Sequence, residues 1–174
     1  IVLAALVPGG DIAIPQPVVG GAIEIVGVSG LVMHEVTTAP LSLRLGDRRR
    51  GPPGTGIGAI RDVVIEGVEA TGIDHRFAAT IAGLPRAPIE DVTLRGVHLT
   101  YRGGGTTTDA ARRPPMLADA YPEPSMFGVT PAWGLWVRCA TGVRLQDVHL
   151  ATDATDARPE VLADNAVIER EPRL

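Results

Sequence analysis

Apolar and polar positions alternate with period two over short runs, and one such run recurs along the chain. Its pattern is apolar, any, apolar, two spacers, apolar. It reads Leu31-Val32-Met33-His34-Glu35-Val36, then Val63-Val64-Ile65-Glu66-Gly67-Val68, then Val92-Thr93-Leu94-Arg95-Gly96-Val97. A further copy is Val143-Arg144-Leu145-Gln146-Asp147-Val148. The offsets are 32 residues from Leu31 to Val63, 29 from Val63 to Val92 and 51 from Val92 to Val143. Alternation of this kind predicts strands with one buried face. Gly or Asp among the spacers predicts a bend after each strand.

A second apolar run follows each copy: 41–45, 78–81, 135–137 and 161–162. Pro40 and Pro159 precede two of these runs. Proline cannot donate to a strand ladder, so it belongs where a strand begins. Repeats near thirty residues with two or three short strands each describe a β-solenoid, in which stacking buries what one coil cannot. A β-sandwich would not repeat one motif in step. An α/β fold needs amphipathic helices between strands, and the one candidate, 109–120, is broken by Pro114-Pro115. The long last interval is one repeat plus an insertion of about twenty residues. The segment 103–128 supplies it, with Gly103-Gly104-Gly105, Pro114-Pro115, Pro122 and Pro124.

Composition narrows the picture. The chain has 174 residues, a formal net charge of −4 and only 3% aromatic residues. So few rings leave a core of Val, Ile, Leu and Ala, which suits thin stacked layers. All 16 basic residues are Arg, which we read as a codon or lineage bias, with a GC-rich bacterial genome as one explanation. The acidic balance argues against a nucleic-acid partner, since that affinity rests on phosphate neutralisation. The apolar opening run, 1–7, is too short to span a membrane and is a poor signal peptide. A chain that starts at Ile1 rather than Met is expected to be a fragment. Cys139 stands alone, so no intrachain disulfide is available, and a buried, inert thiol is expected.

Several stretches carry a family resemblance. They are Leu43-Arg44-Leu45-Gly46, 83–94, Tyr101-Arg102-Gly103-Gly104-Gly105, 120–128, 131–138 and Asp156-Ala157-Arg158-Pro159. Together they resemble the bacterial glycoside hydrolases of family 28, the polygalacturonase-like enzymes. The insertion is the most specific part. The resemblance implies an all-β, right-handed parallel β-helix of the pectin-lyase-like kind, here incomplete. Residues 1–30 would be a poorly matched N-terminal edge, 31–165 the coils with their insertion, and 166–174 a tail. It also implies inverting hydrolysis of a pectic chain, an extracellular or periplasmic setting, and a pectic polysaccharide or oligogalacturonide as partner.

The family's catalytic motifs are Asn-Thr-Asp, Asp-Asp, Gly-His-Gly and Arg-Ile-Lys, and none occurs here. Those coils are expected before Ile1 or to have been lost, and this chain alone is expected to be inactive. No catalytic residue is assigned, and no cofactor is expected. A non-catalytic carbohydrate-binding or structural relic is the alternative. A calcium-dependent pectate lyase ranks last, because no acidic ligand cluster is visible.

Four residues are candidates for substrate contact. Tyr121 and Glu123 lie in a loop stiffened by Pro122 and Pro124, and sugars bind rings and fixed polar groups of this kind. Arg48 and Arg49 lie in a basic loop, and arginine holds carboxylates in a bidentate manner. Asp62 and Asp91 recur before successive strands, which suggests turns. Asp74 beside His75 is a weak acid–base signal that reads first as a surface turn. His98 and His149 occupy equivalent positions, but the insertion is expected to separate their coils, so no convergent metal site is expected.

Overall fold

The computed structural model describes residues 2–3, 22–48 and 56–171. The elements are β1 (Val2–Leu3), β2 (Ala22–His34), β3 (Ser42–Arg44), β4 (Ala59–Ile73), β5 (Ala79–Ala82) and β6 (Ile89–Tyr101). After these come α1 (Thr107–Ala110), β7 (Leu135–Thr152) and β8 (Val161–Arg170). The protein is mostly β, and except for β1 against β3 its strands pair in parallel. The one helix among the described residues is a single turn, capped by Thr106 and Asp109. It ends before Pro114-Pro115, the pair expected to break a helix over 109–120.

Two sets of parallel strands form the sheet. The long set stacks β2, β4, β6 and the second half of β7. The short set stacks β3, β5 and the first half of β7, and β8 pairs along both halves of β7. Cys139, at φ 48°, marks the bend between the halves of β7. The two sets are therefore one continuous sheet curled around a shared core.

The long set keeps the predicted alternation in step. Val63, Val92 and Val143 are register partners, as are Ile65, Leu94 and Leu145, and Val68, Val97 and Val148. All but Val148 of these nine are buried. Each fully buried branched side chain contributes about 1.5–3 kcal/mol relative to exposure. The columns therefore hold the stack together without aromatic bulk. Tyr101 crosses between the sets: its hydroxyl donates to the Gly134 carbonyl at 2.6 Å and accepts from the Ala79 N–H at 3.1 Å.

The first copy of the repeat is corrected by the register. Val63 pairs with Val26, and Val68 with Leu31. The true copy is thus Val26-Gly27-Val28-Ser29-Gly30-Leu31, 37 residues before Val63. Leu31-Val32-Met33 repeats the same alternation further along one strand, which is why it passed for the motif. The backbone corner settles the alignment: Gly30, Gly67 and Gly96 share one column with φ of 67°, 62° and 57°. The boundary drawn at residue 31 falls inside β2.

Candidate functional site

Side chains of the short set that point away from the core alternate with the core residues: Ser42 and Arg44 on β3, Thr80 on β5, Trp136 and Arg138 on β7. Such a face would ordinarily be wet. Here Ser42, Arg44, Thr80 and Trp136 are buried, because the segment 102–134 folds back over them. Phe127 meets Trp136 edge-on at 5.1 Å. Ala78, Ala132 and Trp136 then form a small second core with Phe127 and Leu162 packed against it.

Two arginines anchor this covering segment through backbone carbonyls. Arg44 donates to Ala82 and Gly83 on its own side and to Met116 and Leu117 across the gap. Its guanidinium also lies 5.3 Å from the Phe127 ring. Burial, followed by the nearby charge of Arg138, pulls the Arg44 guanidinium down to about 10, still charged at neutral pH. Arg138 donates to Pro114 at 2.7 Å and pairs with Asp164 at 3.0 Å. The clustered prolines break the helix and also leave carbonyls free to accept these bonds.

The anchored segment brings two of the predicted contact residues together. The Asp47 N–H donates to the Ala118 carbonyl at 2.6 Å. That contact brings Arg48 over the Tyr121 ring, 4.7 Å from its centre. Tyr121 is 65% exposed, so much of the ring remains open to a ligand. The Arg48 Nε is buried and has no hydrogen-bond partner among the described residues. Glu123 is exposed two residues beyond Tyr121, at the start of the turn closed by Met126 N–H on the Glu123 carbonyl. Arg49 and the rest of the basic loop through residue 55 lie outside the described residues.

The Asp74–His75 pair is a turn. Asp74 takes Arg76 in a bidentate grip, with Nε at 3.0 Å from one oxygen and Nη2 at 2.7 Å from the other. The Arg76 side-chain hydrogen bonds hold the Asp74 carboxyl below the usual range. His75 stands 3.7 Å from it and is exposed. Asp62 and Asp91 occupy a shared left-handed corner at φ 55° and 50°, in line with a turn role.

The same grip recurs at Asp156 and Arg158, with the same atoms at 3.0 and 2.7 Å. This copy has side-chain exposures of only 1% and 0%. Arg158 also donates to the carbonyls of Thr130 and His75, and Asp156 accepts from the Gly105 N–H. The pair therefore fastens both ends of the covering segment to the connection between β7 and β8. Burial works hardest against the Asp156 charge, but the bonds from Arg158 and Gly105 together outweigh it and hold the carboxyl below its ordinary range. Sequence reading treated the two stretches separately; the recurring Asp-x-Arg spacing was the available signal.

The expectation that the insertion separates His98 from His149 is corrected. β6 and β7 are direct neighbours, with His98 and His149 in register. The insertion leaves at the end of β6 and returns at the start of β7, in the short set, so it places no strand between them. The two imidazoles meet edge-on at 4.8 Å. Asp147 stands beside both, 2.8 Å from the His149 Nε2 and 4.0 Å from the His98 Nε2.

No family model, no curated protein and no solved structure matches this chain.

Proposed function

We propose that this chain is a run of coils from a right-handed parallel β-helix resembling the family 28 glycoside hydrolases. In this reading it serves as a wall that holds a pectic, carboxylate-bearing polysaccharide. The observation that carries the reading is the exposed Tyr121 ring under the Arg48 guanidinium, on a segment anchored by Arg44 and Arg138. A ring face and a fixed cation side by side match a sugar that carries a carboxylate. The parallel stacking in step supports the helical form, and the right hand follows from the strong bias of parallel crossovers.

Chemistry within these coils favours binding without catalysis. Inverting hydrolysis needs a carboxyl kept protonated near neutral pH. The displaced carboxyls here, Asp74, Asp109 and Asp156, are all shifted the other way. Hydrolysis in this reading belongs to other coils of such an enzyme, and a non-catalytic carbohydrate-binding module is the second reading.

Calorimetric titration with trigalacturonate tests the proposal. Saturable binding that weakens about tenfold in Arg48→Ala, as expected for loss of a charge-assisted bond, and also weakens in Tyr121→Ala, supports it. Absence of saturable binding, or binding that survives both substitutions, overturns it.

A further inference from the structure

We propose that His98, Asp147 and His149 form a surface site for a divalent transition-metal ion of the zinc type. The three side chains offer two imidazole nitrogens and a carboxylate oxygen, and these ligand atoms all lie within 4.8 Å of one another. Two nitrogens and one oxygen are a ligand set that zinc accepts, leaving a further position to water or to a ligand oxygen. Metal–ligand lengths of about 2.0–2.1 Å place tetrahedral ligands about 3.3 Å apart. All three residues are exposed, so packing does not hold their side chains from rotating toward such separations.

The backbone explains why the three meet. His98 and His149 are in-register neighbours on parallel strands, which sit about 4.8 Å apart. Asp147 occupies the corner column that is otherwise Gly30, Gly67 and Gly96, all with positive φ. Asp147 adopts the same left-handed conformation at φ 50°, and Asp tolerates it better than most residues. A built Cβ at Gly96 would lie 4.0 Å from the Asp147 carboxylate. The corner thus aims that carboxylate across the strands, and glycine there would contribute no ligand. Glu69, the register partner of His98 on β4, is exposed beside the cluster and adds negative charge on the same face.

Nothing in this site draws on the Arg48–Tyr121 wall, so each proposal can fail without the other. The test is calorimetric titration of the whole chain with zinc chloride, alongside NMR of its four histidines. One-to-one saturable binding is expected, with resonances of His98 and His149 shifting and those of His34 and His75 staying in place. Asp147→Gly restores the glycine of the other coils and is therefore compatible with the backbone. It and His98→Gln are each expected to weaken binding at least about tenfold, since even outer-sphere partners of a metal matter to that extent. His75→Gln should leave affinity unchanged. Absence of saturable binding, shifts centred on His34 or His75, or full affinity in Asp147→Gly overturns the site.

Discussion

Two Asp-x-Arg turns with the same hydrogen-bond geometry sit in very different surroundings. At Asp74–Arg76 the arginine side chain is 51% exposed, and its charged group bonds its own aspartate and lies 4.9 Å from the Phe77 ring centre. At Asp156–Arg158 both side chains are sealed, and the guanidinium reaches two further loops. The difference arises from the segment 102–134, which seals the second pair but reaches the first turn only at its backbone, leaving the Arg76 side chain half exposed. One local device closes a turn after β4 and fastens an insertion after β7.

The largest effect should come from opening the sealed copy. Arg158→Ala leaves a buried carboxylate without its cation, and loss of one partner of a buried pair costs about 3–5 kcal/mol. Arg76→Ala should leave stability nearly unchanged, because exposed pairs contribute little. Urea denaturation of both variants checks the contrast. Similar losses in the two would mean that burial does not set the role of the grip.

Acid sharpens the same comparison. Asp74 and Asp156 both have folded pKa values below the unfolded range, near 3.9 for Asp. Their stabilisation is therefore present above the unfolded pKa and is lost as pH falls through the folded value. Below about pH 4 stability should decline, and Asp156→Asn should flatten that decline while lowering stability at neutral pH. Asp74→Asn should flatten it less, since solvent screens its exposed partner. Denaturation midpoints between neutral pH and pH 2 measure both slopes. Equal flattening in the two variants would remove the distinction.

Much of the strand stack was legible because valine and leucine columns with period two leave a direct trace in sequence. Register was less legible: Val26–Leu31 and Leu31–Val36 both alternate, and only the positive-φ column at Gly30, Gly67 and Gly96 chooses between them. Burial of Arg44 and Arg158 had no local signal, since the cover comes from a segment distant in sequence. The meeting of Arg48 with Tyr121 likewise depends on how the insertion folds back. His98 and His149 were recognised as equivalent positions, but an insertion in sequence was read as a separation in space. It leaves at the end of β6 and returns at the start of β7, so β6 and the second half of β7 still pair.

A final comparison of equivalent positions lies at the corner column, where the expected effects are smallest. Gly96 has φ 57°, and a built Cβ there meets nothing closer than 3.8 Å. Gly96→Ala should therefore cost only backbone strain, about 1–2 kcal/mol for an ordinary residue in the left-handed region. Asp147 already bears that conformation, in a milder form suited to Asp. Asp147→Gly relieves the strain but frees the unfolded chain, so stability should change by no more than about 0.5 kcal/mol. Thermal unfolding of the two variants without added metal checks the pair. If Asp147→Gly proved strongly destabilising, the aspartate would be holding the corner together, and its place beside two histidines would need no ligand to explain it. A near-neutral result leaves the carboxylate structurally dispensable and isolates its effect on zinc binding from any effect on folding.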